Sequence, residues 1–116
     1  AVRHVEDRIA QGAVTWMYQF DWESRNVRLK ATHALEIPFV FNTLRSSGVD
    51  AFIGEGELPQ AVSDEMHSVW TSFIQGGEPG WPKYDLEKRT VKHFDNNSFL
   101  LDNGELQRLK AWEGVR

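Results

Sequence analysis

The stretch Lys30–Thr43, KATHALEIPFVFNT, decides how the rest of the chain is read. It sets a single histidine, His33, where a polar loop meets the apolar run Ile37-Pro38-Phe39-Val40-Phe41, with Glu36 three residues beyond it. An imidazole at such a junction suits catalysis, because the loop lets the ring reach a reacting group while the buried run holds it still. Position and neutral-range titration alone leave a second reading open, since a lone histidine is often a surface residue or a satisfied core residue. The run itself reads as a short helical turn broken near Pro38. Proline disfavours helix in the residue before it, which puts Ile37 in extended backbone or at a boundary.

Upstream, Val14–Trp22, VTWMYQFDW, is β-branched and aromatic almost throughout. Such composition predicts a strand, and its near-continuous hydrophobicity predicts cover on both faces, as in a mostly parallel sheet. Glu23–Lys30 is polar and irregular, a loop that delivers His33 beyond the carboxyl end of that strand. In open α/β sheets, sites lie outside the carboxyl ends of the strands. Val2–Ala10 precedes all this as a short helix, with Val2, Val5 and Ile9 at helical spacing and Gly12 as its C-terminal cap.

Downstream, Ser46–Leu58 contains three glycines and reads as a long surface loop. Pro59–Gln75 is the longest helix: Pro59 suits a first turn, and Val62, Met66, Val69, Trp70, Phe73 and Ile74 share one apolar face. Trp70 and Phe73 are expected in the core, and His67, off that face, in solvent. Arg89–Asp95 is a further strand containing His93; Asn96-Asn97 turns the chain, and Ser98–Leu101 pairs back as a hairpin. Glu105–Trp112 reads as a closing helix with Leu106, Leu109 and Trp112 on one face.

The chain has 116 residues, with 13 basic and 17 acidic side chains for a net charge of -4. Without a concentrated basic patch, a nucleic-acid partner is not expected. No apolar run approaches the roughly 20 residues that span a bilayer, so no membrane partner is expected either. There is no cysteine, hence no disulfide framework and no thiolate metal site. With no visible signal peptide, this favours a cytoplasmic setting without excluding export. Five tryptophans, seven phenylalanines and two tyrosines are many for the length. Aromatics dominate cores and interfaces, so a piece that packs against something larger is implied.

Three stretches carry a resemblance to one family. Ala31, His33, Glu36, Ile37, Pro38, Phe39, Val40 and Phe41 fit the wording Gly-Ala-x-His-x-x-Glu-[Leu/Ile]-Pro-[Phe/Tyr]-Val-Phe. Tyr18, Phe20, Asp21 and Trp22 fit Tyr-x-Phe-Asp-Trp, and Met66, Trp70, Phe73, Gly77, Pro79, Trp81, Pro82 and Tyr84 fit Met-x-x-x-Trp-x-x-Phe-x-x-x-Gly-x-Pro-x-Trp-Pro-x-Tyr. Together they resemble the type-B carboxylesterases, the α/β-hydrolase family of the cholinesterases and bacterial para-nitrobenzyl esterases. Lys30 departs from the pattern, standing where a glycine is common.

The resemblance implies an α/β fold: a C-terminal fragment of an α/β-hydrolase, with a few strands from one side of the sheet and packed helices. Residues 1–116 would form one C-terminal segment of that domain. It implies a serine carboxylesterase acting on small-molecule esters without cofactor or metal, with His33 as the triad's general base and acid. In α/β-hydrolases the serine and the acid precede the histidine. No Gly-x-Ser-x-Gly elbow occurs in the chain, and Ser46-Ser47-Gly48 reads as a turn. The 116-residue chain alone is therefore expected to be inactive. Glu36, following the histidine, is expected to brace its loop through hydrogen bonds rather than serve as the triad acid. Two other classes stand beside this one. His33, Glu36 and Asp21 could be weighed as a metal set, although no second histidine has matching spacing. A non-catalytic cholinesterase-like binding module is the other. Separated from upstream strands, the chain is expected to self-associate through the uncovered edge of its Val14–Trp22 strand.

Overall fold

In the computed structural model, residues 2–26, 28–30 and 32–104 are described. The elements in order are α1 (Val2–Ala10), β1 (Tyr18–Phe20), α2 (Ile37–Val40), α3 (Asp50–Ile53), α4 (Gln60–Gly76), β2 (Val91–Phe94) and β3 (Phe99–Leu101). The three strands make one sheet in the order β1-β2-β3. β2 and β3 are antiparallel, with Val91 opposite Leu101, Lys92 opposite Leu100 and His93 opposite Phe99. Beside them, the Lys92 N–H donates to Met17 O at 3.1 Å and the Asp21 N–H to Phe94 O at 2.8 Å. Both chains advance together between those bonds, as in a parallel pair. The closing helix expected at Glu105–Trp112 lies outside the described residues.

The described residues fall into two compact units, one of residues 2–19, 81–93 and 99–104, the other of 20–80 and 94–98. In the first, Val5, Tyr84 and Val91 form a small buried cluster with Ile9 and Met17 against it. The Tyr84 N–H donates to Thr15 O at 2.7 Å, and the Trp16 indole N–H to Trp81 O at 2.9 Å. Arg89, in left-handed backbone at φ +52°, donates to Glu6 at 3.0 Å and to the Tyr84 hydroxyl at 3.1 Å. The Glu6 hydrogen bond raises the Arg89 guanidinium above its ordinary value. A raised cation contributes stability below its ordinary pKa and loses it only as pH climbs through the raised one, so Arg89 stays charged throughout the neutral range. His93 stacks on its cross-strand partner Phe99, with ring centroids 4.7 Å apart.

The second unit is built on Phe39, which is fully buried. Phe20 and Trp22 tilt against its ring at centroid distances of 4.8 Å and 5.2 Å. Leu35, Leu44, Ile53, Val62, Met66 and Phe94 are buried in the same unit, and α4 packs on α2. The helix starts and ends one residue later than the expected Pro59–Gln75: Pro59 is its N-cap rather than part of its first turn, and Gly77 ends it in left-handed backbone at φ +79°, a conformation glycine takes without strain.

Several expectations need correcting. Only three residues of Val14–Trp22 pair as a strand, each part-buried rather than covered on both faces, and Val14 is exposed. Aromatic and β-branched composition marks a pleated, half-buried surface, while the extent of a strand depends on the partner available to pair with it. Pro38 opens α2 instead of breaking it: it lies at the first helical turn, where its missing N–H costs nothing. Ser46–Leu58 contains α3, whose Ile53 is fully buried. Phe73 is 39% exposed and Ile74 76%, although both lie on the predicted core face of α4. The reason is length: α4 has 17 residues and α2 has 4, roughly 25 Å against 6 Å. Among the described residues, no helix is long and apolar enough to cross a membrane.

Candidate active site

His33 lies exposed on a turn, residues 33–36, that joins the polar loop to α2. Its neighbours on the chain divide between water and core. Leu35 and Phe39 are buried, while His33 and Ile37 are exposed, so the turn is anchored from beneath and presents its imidazole outward. The Leu35 N–H donates to Thr32 O at 3.3 Å and the Ile37 N–H to Ala34 O at 3.2 Å. Lys30 and Ala34 both occupy left-handed backbone, at φ +47° and +67°. Glycine enters that region freely and other residues at a cost. The position where Lys30 replaces the common glycine is thus one where the backbone has a use for it.

On the far side of the turn, α2 ends in a Schellman arrangement. Asn42 is left-handed at φ +56°; its N–H donates to Phe39 O at 3.2 Å, and the Thr43 N–H to Pro38 O at 2.8 Å. These bonds satisfy carbonyls that a helix end would otherwise leave open. Three side chains of α4 complete the anchor. The fully buried Ser63 donates its hydroxyl to Phe39 O at 2.9 Å. The Gln60 amide donates to Asn42 Oδ1 at 2.7 Å. His67 Nδ1 lies 2.9 Å from Val40 O, a bond in which that nitrogen must carry the hydrogen. His67 is exposed, as expected, but it also secures the end of α2.

Glu36 acts differently from the expectation. It is the N-cap residue of α2 but makes no side-chain capping bond. Its carbonyl is what braces the turn, accepting from the Phe39 and Val40 N–H groups at 3.0 Å and 2.9 Å. Asp21, Glu36 and His33, weighed above as ligands, are not gathered: no group of three His, Asp or Glu side chains among the described residues is placed to hold a metal ion. Ser63 and Gln60 carried no signal in the sequence, because they reach the end of α2 from α4, at a separation set only by the fold.

Comparison with known proteins bears directly on this arrangement. The model of the carboxylesterase family matches residues 1–112. The chain belongs to the carboxylesterase family. It is 31% identical over 105 residues to the para-nitrobenzyl esterase of Bacillus subtilis, covering 83% of this chain and 21% of that protein. The crystal structure of a Geobacillus stearothermophilus carboxylesterase superimposes with a TM-score of 0.83 at 37% identity, over 96% of this chain and 24% of that one. An esterase of Clostridium hathewayi, with a TM-score of 0.79 at 19% identity, shares the fold over 97% of this chain and 23% of its own. The fold is that of the α/β-hydrolase carboxylesterases, and the chain spans about a fifth of the length of the Bacillus relative.

Proposed function

We propose that His33 is the general base and acid of a serine carboxylesterase, and that residues 1–116 form one C-terminal segment of its catalytic domain. In the serine route a hydroxyl attacks the ester carbonyl while a histidine takes its proton. The same imidazole then returns a proton to the leaving alcohol, and a carboxylate holds the ring's tautomer. In α/β-hydrolases the nucleophile and the acid precede the histidine in the chain. This chain has no Gly-x-Ser-x-Gly, so both groups come from sequence beyond these residues. The substrates are small carboxylic esters, and the chemistry calls on side chains alone.

The observation that carries this reading is the exposed imidazole on a turn whose next residues, Leu35 and Phe39, are buried. A ring reaching outward from a fixed backbone meets the positional demand on a general base. In a complete esterase containing this segment, His33→Ala is expected to lower turnover by several orders of magnitude, as removal of a triad member does. Near-normal hydrolysis of a short-chain aryl ester by that variant would favour the non-catalytic binding module instead.

The 116-residue chain alone is expected to be inactive, since an imidazole without a nucleophile has nothing to activate. It is also expected to self-associate. Phe99, Leu100 and Leu101 of β3 are 46%, 47% and 42% exposed, and uncovered apolar strands pair with other chains. Sedimentation across a concentration series checks this, and a monomer at high concentration would refute it.

A further inference from the structure

We infer that Ser24 is a positioning residue for His33, an inference that rests on the catalytic reading of that histidine. Ser24 is 7% exposed and lies in the polar loop leading to the His33 turn. Its N–H donates to Lys30 O at 3.0 Å, which closes residues 24–30 into a ring of chain. Its hydroxyl accepts the Asn26 N–H at 3.0 Å and donates to the carbonyl of Phe52 in α3. One buried side chain therefore shapes the ring from within and fastens it to a neighbouring helix.

The rest of the ring is fixed in the same manner. The Asn26 carbonyl accepts from the Leu29 and Lys30 N–H groups at 2.9 Å and 3.4 Å, and Asn26 Oδ1 from the Arg28 N–H at 3.2 Å. Arg25 donates its N–H to Ile53 O at 3.0 Å and its guanidinium to Glu57 O. The two backbones lie so close that a Cβ at Gly54 would fall 2.7 Å from both Arg25 Cβ and Asn26 N. Real Cβ atoms do not approach atoms so closely, so the staple requires glycine there. The chain leaves this ring at Lys30, whose carbonyl Ser24 holds, and His33 follows three residues later. Fixing Lys30 limits where the imidazole can go, and catalytic geometry tolerates little displacement.

The experiment has two arms. In the isotope-labelled 116-residue chain, NMR relaxation reads backbone order. Ser24→Ala is expected to take Lys30, Thr32 and His33 from the rigid range, about 0.85, to below about 0.6. It should also strip the Asn26 amide of exchange protection, with the β2–β3 signals unmoved. Ser24→Thr keeps the hydroxyl and should restore both. Unchanged order at Thr32 and His33 in Ser24→Ala overturns the inference, whatever His33 does in catalysis. Should Ser24→Ala unfold the chain, Asn26→Ala serves in its place. It deletes the bond to Arg28 from a half-buried site and must loosen the same residues, or the inference fails. The second arm uses the complete esterase, where Ser24→Ala is expected to lower kcat on the order of 10–100-fold with KM unchanged, and Ser24→Thr to recover it. A loss confined to KM would also overturn the inference. If the order falls as expected and His33→Ala still turns over, the catalytic reading fails while the positioning of His33 by Ser24 stands.

Discussion

The two ends of α4 carry the same apolar pattern and meet different surroundings. Val62 and Met66, near its start, are 3% and 0% exposed, whereas Phe73 and Ile74, near its end, are 39% and 76% exposed. The starting turns pack on α2 and on the fully buried Phe39, and Ser63 bonds the Phe39 carbonyl. The closing turns run past the end of that short helix. Periodicity records which face of a helix is apolar; it does not record what covers the face. The covered end is also the end that anchors the His33 turn, so burial and the candidate chemistry coincide at one end of one helix.

The largest test of this contrast is Phe39→Ala. Phe39 is the centre against which Phe20, Trp22 and α4 pack, and its truncation is expected to cost about 3–5 kcal/mol. A loss below about 1 kcal/mol would mean that α2 is a surface turn and not an anchor. Within α4, Met66→Ala should cost about 2–5 kcal/mol, and Ile74→Ala no more than about 0.5 kcal/mol in the 116-residue chain. Comparable losses at the two positions, measured as shifts in denaturant midpoint at constant slope, would show that the far end of α4 is covered after all. Ser63→Ala falls between Met66→Ala and Ile74→Ala. It removes one of two donors to the Phe39 carbonyl, which keeps the Asn42 N–H, at about 0.5–1.5 kcal/mol.

The same contrast explains what the sequence could show. The bounds of α4 were legible because Pro59 and Gly77 act on their own backbone. The β2–β3 hairpin was legible because its turn is local, at Asn96-Asn97. The place of His33, on a turn between loop and helix, followed from the switch between polar and apolar residues, but of the run expected to be buried only Phe39 is, while Ile37 and Phe41 are 50% and 67% exposed. Its support did not. Ser24 bonds a carbonyl 28 residues away and Ser63 one 24 residues away, and a serine in a loop or helix looks the same with or without such a partner. The length of β1 was misread for a related reason: strand extent depends on the neighbouring strand, and aromatic composition gives no sign of where that neighbour stops. Glu36 was assigned a role for its carboxylate, whereas its backbone carbonyl does the bracing, and any residue type would supply that atom.

A small effect of the opposite sign is expected at the position where the motif departs from its family. Lys30 sits at φ +47°, inside the region where a side chain costs roughly 1–2 kcal/mol and glycine pays nothing. Lys30→Gly removes that strain. It also frees the unfolded chain, which takes back about 0.4–1 kcal/mol. Among the described residues, the hydrogen bonds of Lys30 are backbone ones, the N–H to Asn26 O and the carbonyl to Ser24, and glycine preserves both. The difference leaves Lys30→Gly more stable, by up to about 1.6 kcal/mol, a rise in denaturant midpoint with the slope unchanged. The sign is what matters. A destabilised Lys30→Gly would mean that the lysine side chain holds the loop through contacts of its own, and that the turn bearing His33 is not fixed by backbone bonds alone.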